Sequence, residues 1–171
     1  MNAMDELLQL HRDVDEAAGD LARRHAARLR CGRGCDACCV DGISVFEIEA
    51  ARIRRGNEAL LATAAPHAEG ACAFLDGEGA CRIYEDRPYV CRTQGLPLRW
   101  FDRSEDGATV ELRDICPLND DPDLPLETLP ADDCWTIGLY ESRLAALQTD
   151  DPAAPRVLLR DLFAVAGDRL A

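Results

Sequence analysis

A chain of 171 residues is a normal length for one domain, and its formal net charge of −13 argues against nucleic acid or an anionic membrane as a partner, since both require a basic face. It has no run of roughly 18 apolar residues that could span a membrane, and its first residues lack the positive start and apolar stretch of a signal peptide. We therefore expect one domain, residues 1–171, located in the cytoplasm and bound to neither nucleic acid nor membrane.

The first thirty residues have the pattern of one long amphipathic helix. Apolar residues recur there at steps of three and four, which predicts a helix over residues 3–30 that ends at Cys31-Gly32. The segment that follows, residues 31–42, contains three glycines and has no apolar period. We therefore expect this segment to be a loop that wraps a ligand.

Two short helices are predicted after this loop. Ser44 and Glu47 have the spacing of a capping box, which predicts a helix that runs from there to about Arg55. A second short helix is expected through Leu60 and Ala64, before the chain reaches a proline.

The middle of the chain has the pattern of two β-hairpins with a helix between them. The first hairpin is expected over residues 72–84 with its turn at residues 76–79, so that each arm carries a cysteine. Pro88 suits the start of a helix that Gly95 ends after two turns. The second hairpin is expected over residues 96–113.

Helices are predicted again for residues 132–170, after a connector that is rich in proline and aspartate. The first is capped by Asp132 or Asp133, and the second follows Pro152. The apolar positions are Ile137, Tyr140, Leu144 and Leu147 in the first helix, and Val157, Leu158, Leu162 and Val165 in the second. The expected fold class is mainly α, a small α+β domain whose helices surround a cysteine-rich metal-binding loop region, with one or two short β-hairpins.

Nine cysteines are the most informative residues of the chain, and most of them fall within the central core, residues 31–117. In a cytosolic protein, clustered cysteines are more often metal ligands or redox groups than disulfides. The candidate metal ligands are Cys31, Cys35, Cys38, Cys39, Cys72, Cys81, Cys91, Cys116 and Cys134. Nearby arginines are expected to offset the negative thiolates and to donate hydrogen bonds to sulfur, namely Arg30, Arg33, Arg82, Arg87 and Arg92.

The number of cysteines exceeds what one metal ion needs. Four thiolates complete one tetrahedral zinc site or one cubane iron–sulfur cluster. Because adjacent side chains point in different directions, Cys38 and Cys39 are not expected to bind the same single ion. The sequence is compatible with two centres, with one polynuclear cluster, or with one centre and a structural thiol.

Two enzyme motifs and the histidines are set aside. The first cysteine group has the spacing found in radical S-adenosylmethionine enzymes, but it follows a helix and too little chain remains for a partial barrel. Cys35 and Cys38 have a C-x-x-C spacing but do not open a helix inside a βαβ unit, so a thioredoxin-like motif is excluded. His11, His25 and His67 are expected to be core, surface or loop residues.

Eight cysteines and the residues around them follow one order along the chain. They are Cys31-x3-Cys35-x2-Cys38-Cys39, then Cys72, then Cys81-Arg82-Ile83-Tyr84-Glu85-Asp86-Arg87-Pro88, then Cys91-Arg92, and finally Cys116-Pro117. This order resembles the YkgJ-type cysteine-cluster family, the CxxCxxCC zinc- or iron-chelating domain, over about residues 31–117. The first gap has three residues instead of the two in the family's name, and Cys134 lies outside the pattern.

The resemblance implies metal binding, as an iron–sulfur cluster or as zinc. The related flagellin lysine methylases imply that such a module can sit in an enzyme that acts on protein, although this chain is too short for that larger architecture. The leading expectation is a multi-cysteine protein with an iron–sulfur or polynuclear thiolate cluster in a redox, sensing or maturation role. The first alternative is a zinc protein with structural or stored metal and a protein-interaction surface, and the second is a cluster-dependent enzyme that modifies a protein or peptide. Another protein is the expected partner, and the sequence assigns no catalytic residue.

Overall fold

The computed structural model describes residues 2–148 and 155–163. The helices in these residues include α1 (Ala3–Arg24), α2 (Glu47–Gly56), α3 (Glu58–Thr63), α4 (Tyr89–Arg92) and α5 (Leu139–Leu147). The strands are β1 (Ser44–Val45), β2 (Leu98–Arg103), β3 (Thr109–Asp114), β4 (Trp135–Thr136) and β5 (Val157–Leu158). Single 3₁₀ turns are formed by Tyr84–Asp86, Pro117–Asn119, Leu126–Thr128 and Ala131–Asp133. The predicted class, a small α+β protein, is confirmed.

Helix α1 follows the predicted amphipathic pattern but ends at Arg24, six residues earlier than expected. At its start, the Asn2 side chain accepts the Asp5 N–H at 3.0 Å, which satisfies one of the free amides of the first turn. At its end, buried His25 and Arg28 bond to the carbonyl oxygens of Asp133 and Leu124, each at 2.7 Å. These long-range contacts favour turns over further helix, and the local pattern does not encode them.

Two small sheets complete the fold. In the larger one, β2 lies between β3, with which it forms an antiparallel hairpin, and β4, to which it is parallel. The hairpin confirms the prediction for residues 96–113 and turns at Gly107, whose φ of 83° suits glycine. In the smaller sheet, β1 pairs with β5 in an antiparallel register.

The smaller sheet corrects two predictions. Ser44 does not cap a helix, because it pairs with Leu158 in the sheet. Helix α2 starts at Glu47 instead, and the Glu49 carboxylate accepts the Phe46 N–H at 3.4 Å. Val157 and Leu158 were expected in a helix and form a strand. The expected helix start at Pro152 and the position of Val165 lie outside the described residues.

Three other elements are shorter than predicted. The turn at residues 76–79 is present, but the two arms of the first hairpin share only the bridge between Leu75 and Cys81 in the described structure. Helix α4 has one turn instead of two. The helix expected from Asp132 or Asp133 begins only at Leu139, because the preceding residues form β4 and the Ile137 N–H donates to the Arg99 carbonyl at 2.9 Å. The short helix α3 agrees with prediction.

The core consists of two apolar clusters on either side of α2. One cluster joins α1 to the α4 and α5 regions through Leu7, Leu10, Val14, Tyr89, Trp135 and Leu144. The other joins α2 to the cysteine-bearing hairpin and to the C-terminal segment through Val45, Ile53, Phe74, Leu159, Leu162 and Phe163, and it includes Cys72. Burial of each large apolar side chain stabilises the fold by about 1.5–3 kcal/mol. The cysteine-bearing segments therefore lie on a packed core.

Candidate metal centre

Backbone pairing places Cys39 beside Cys72. The Cys72 N–H donates to the Cys39 carbonyl at 2.8 Å, and Val40 and Ala71 form an antiparallel bridge next to it. Two segments that are more than thirty residues apart in sequence therefore run side by side at their cysteines.

A tight turn then brings Cys81 back towards Cys72. The Asp76 carboxylate accepts the N–H groups of Glu78 and Ala80, both at 2.8 Å, which fixes the turn at residues 76–79. Burial raises the pKa of the Cys81 thiol, and the charge of Cys72 raises it further. The hairpin arms thus present their two cysteines to the same region.

Helix α4 supplies Cys91, and a buried carboxylate holds this helix in place. Glu49 is 2% exposed, and its Oε1 accepts the Tyr89 N–H at 2.7 Å. Burial raises the pKa of the Cys91 thiol to about 12, with further contributions from the charges of Cys72, Cys81 and Cys38. Cys91 therefore shares one neighbourhood with cysteines from the loop and from the hairpin.

Cys38 and Cys39 interact directly. Hydrogen bonding with the Cys39 side chain lowers the pKa of Cys38 to about 6, and the same interaction, together with burial, raises the pKa of Cys39. The charges of Cys72 and Cys91 also raise the pKa of Cys39. We call these five residues the thiol cluster: Cys38, Cys39, Cys72, Cys81 and Cys91.

The loop that carries Cys35 packs against the turn of the hairpin. The Cys35 N–H donates to the Gly32 carbonyl at 3.0 Å. Gly79, with a φ of 76°, approaches this loop so closely that a Cβ atom would lie 3.2 Å from the Asp36 carboxylate. The loop and the hairpin are therefore in contact beside the thiol cluster.

Cys31 and Cys116 are joined by a buried asparagine. The Asn119 side-chain amide donates to Cys31 Sγ at 3.3 Å and to the Gly95 carbonyl at 2.8 Å. The Asn119 backbone N–H donates to the Cys116 carbonyl at 2.8 Å. These bonds place both cysteines near the segment that follows α4. Sequence reasoning did not identify Asn119, although Pro117 at the start of its 3₁₀ turn is a signal for a fixed turn there.

Cys134 lies elsewhere, against the three-stranded sheet. Burial raises the pKa of its thiol, and the charges that act on it belong to Arg113, Arg99, Glu111 and Asp133. Its environment is therefore the sheet that β2, β3 and β4 form.

The arginines act on the cysteines through their charge. The guanidinium groups bond to oxygen atoms: Arg82 to the Ala73 carbonyl at 2.7 Å, and Arg92 to the Asp15 carboxylate at 2.5 Å. The charges of Arg82 and Arg87 lower the pKa of Cys81. These contacts do not confirm the expectation that arginines would donate hydrogen bonds to sulfur. Among the described residues, the Asn119 amide, which is neutral, donates to the Cys31 sulfur.

Two of the histidines are buried in polar contacts with oxygen atoms. His11 Nε2 lies 3.3 Å from Glu49 Oε1, and His25 Nε2 lies 2.7 Å from the Asp133 carbonyl. Burial lowers the pKa of His11, so its imidazole is neutral near pH 7. Both side chains serve to pack α1 against its neighbours.

The chemistry of the donor set fits a thiolate-bound metal. Thiolates are the ligands that zinc, copper(I) and the irons of iron–sulfur clusters accept. Among residues 2–148 and 155–163, no three or more His, Cys, Asp or Glu side chains have the geometry of a closed metal site.

Comparison with known proteins gives one match. The family model CxxCxxCC, described as a "putative zinc- or iron-chelating domain", matches residues 30–117, just over half of the chain. No curated protein and no solved structure shows a significant match. In the described residues, no helix is both long and apolar enough to cross a membrane. Eight of the nine cysteines lie in the matched segment, and the chain belongs to the CxxCxxCC family of zinc- or iron-chelating domains.

Proposed function

We propose that the chain is a cytoplasmic metal-binding protein that carries an iron–sulfur or polynuclear thiolate cluster and serves a redox, sensing or maturation role for another protein. One observation carries this proposal. Backbone pairing joins the loop at Cys39 to the hairpin at Cys72, and the bridge between Leu75 and Cys81 joins the two arms of the hairpin, so cysteines from distant parts of the sequence lie side by side.

The size of the thiol cluster favours more than one metal atom. One tetrahedral ion uses four ligands, whereas the thiol cluster has five members and Cys31, Cys35 and Cys116 lie on segments packed beside it. Cys72 is buried and Cys91 is half-buried, and thiolates in such positions would be costly unless metal charge compensated them. A polynuclear cluster supplies more metal charge for the same set of sulfurs, and when bound it would provide electron storage.

Zinc is the second candidate, and the position of Cys134 bears on it. A structural zinc site needs only four thiolates, and we propose that Cys134 is a structural thiol of the sheet, so not every cysteine is needed as a ligand. Four members of the thiol cluster would then bind one zinc, and the surrounding helices would form an interaction surface.

Anaerobic purification with elemental analysis distinguishes the two candidates. We expect the protein purified without oxygen to be coloured, to absorb broadly in the visible range, and to contain iron together with acid-labile sulfide. The same preparation exposed to air serves as the control, because oxidation should bleach an iron–sulfur chromophore. Stoichiometric zinc in a colourless protein, with neither iron nor sulfide, would contradict the leading proposal and support zinc.

A further inference from the structure

Asn119 is buried, and both polar atoms of its side-chain amide form hydrogen bonds. The residue is 1% exposed. Its Oδ1 accepts the Arg30 N–H at 2.7 Å, and its Nδ2 donates to the Gly95 carbonyl at 2.8 Å and to Cys31 Sγ at 3.3 Å. A backbone N–H can only donate and a carbonyl can only accept, so these two partners fix which end of the amide is nitrogen. The group that faces the sulfur is therefore a donor.

The Cys31 sulfur also lies against the backbone at Gly95. A Cβ atom at Gly95 would lie 2.3 Å from Cys31 Sγ and 3.2 Å from Asn119 Nδ2. Gly95 also has a φ of 89°, a conformation that favours glycine. Although Cys31 as a whole is exposed, its sulfur thus lies against both the backbone at Gly95 and the Asn119 amide.

Asn119 also links the two ends of the cysteine-rich core. Its backbone N–H bonds to the Cys116 carbonyl, while its side chain reaches Cys31 and the segment after α4. The residue lies two positions beyond the segment that the family model matches. A buried amide that connects three cysteine-bearing segments is placed to control the geometry of a metal centre between them.

We propose that Asn119 is a positioning residue of the metal centre, which holds Cys31 as a metal ligand by donating an N–H···S hydrogen bond to its sulfur. This inference rests on the proposed metal binding. A donor to a ligating sulfur fixes the direction of the sulfur and stabilises its thiolate form, and loss of such a partner typically weakens metal binding by about 10–100-fold.

The substitution Asn119→Asp removes the hydrogen bonds that this side chain donates, to Cys31 Sγ and to the Gly95 carbonyl, and keeps the one that it accepts. Aspartate has nearly the same size and keeps an oxygen for the Arg30 N–H, but it removes both N–H donors. Asn57→Asp is the matched control, because Asn57 Nδ2 donates to the Ile53 carbonyl at 3.0 Å and to the Asp86 carboxylate at 2.9 Å, away from the cysteines.

The measurement is the rate at which iodoacetamide alkylates each cysteine of the anaerobically purified protein, read by peptide mass spectrometry with and without prior removal of the metal by a chelator. We expect bound metal to protect Cys31 in the wild type and in Asn57→Asp. In Asn119→Asp we expect Cys31 to react at least about 10-fold faster while Cys91 stays protected. A merely structural defect would expose both cysteines together.

Three results would overturn the inference, and they differ in what they imply. If the wild type holds metal but Cys31 reacts as fast as in the metal-free protein, or if Asn119→Asp protects Cys31 as well as the wild type does, Asn119 has no positioning role and metal binding stands. If the wild type retains neither iron nor zinc and takes up neither on addition, both proposals fail. The wild-type comparison decides the ligand status of Cys31 even if the variant does not fold.

Discussion

Glu49 shows how one buried side chain can set the position of a cysteine. Its carboxylate accepts the N–H groups of Phe46 and Tyr89 and contacts His11, so it joins α1, α2 and the helix that carries Cys91. Phe46, Tyr89 and His11 belong to separate parts of the sequence. The sequence pattern predicted the helix that carries Glu49. The contacts that make Glu49 a buried anchor are visible only in the structure.

Replacement of Glu49 should therefore destabilise the protein strongly. Glu49→Ala would leave buried N–H groups without an acceptor, each at a cost of about 1–3 kcal/mol. We expect the free energy of unfolding to fall by about 3 kcal/mol, measured by urea denaturation of the metal-free protein.

Glu47→Ala on the same helix is the control for this experiment. Glu47 is exposed and pairs with Arg54 at the surface, so its loss should change the free energy of unfolding by less than about 1 kcal/mol. Equal effects of the two substitutions would show that Glu49 is not an anchor.

At the scale of elements, an arginine that follows β5 stabilises the loop that carries the first cysteines. Arg160 follows β5, and its guanidinium bonds to both oxygens of the Asp41 carboxylate and to the carbonyls of His67 and Ala71. The pKa of Asp41 is lowered chiefly by this arginine. The C-terminal segment thus holds the two stretches that pair at Cys39 and Cys72.

Removal of the Arg160 side chain should weaken the backbone pairing between Cys39 and Cys72 locally. In Arg160→Ala we expect faster hydrogen exchange of the Cys72 amide, which bonds to the Cys39 carbonyl, while amides inside α1 keep their protection. Arg143→Ala is the control, since Arg143 pairs with Asp13 on the far surface. Unchanged hydrogen exchange at the Cys72 amide would show that Arg160 does not stabilise this pairing.

The elements also show what a sequence can predict. Helix α1 and the β2–β3 hairpin follow from the spacing of apolar residues and from turn residues, both of which are local. The strands β1, β4 and β5 did not follow, because two-residue strands exist only through pairing with distant segments. The site shows the same limit of prediction from local pattern. The order of the cysteines indicated a metal centre. The hydrogen bond from Asn119 to Cys31 joins residues 88 positions apart, and no local pattern predicts it.

At the scale of the whole molecule, one of the two apolar clusters of the core is independent of the cysteines. The cluster formed by α1, α5, Tyr89 and Trp135 includes none of the thiol cluster. A chain of this length can bury enough surface to fold without metal, unlike a zinc finger.

Metal removal should therefore leave the helical part folded. After anaerobic treatment with a chelator, we expect far-ultraviolet circular dichroism to retain most of its helical signal, while proteolysis increases within residues 31–42. Restoration of metal should reverse the proteolysis. Complete loss of the helical signal would show instead that metal is required for the fold as a whole.

Cys91 and Cys134 provide the most direct test of the central claim, that the thiol cluster binds metal. Cys91 lies inside the cluster and Cys134 lies against the sheet. The measurement is metal content per chain, by elemental analysis of Cys91→Ser, Cys134→Ser and the wild type, all purified without oxygen. We predict that Cys91→Ser loses most of its metal and that Cys134→Ser keeps the wild-type content. Full metal content in Cys91→Ser, or equal losses in both variants, would contradict the claim.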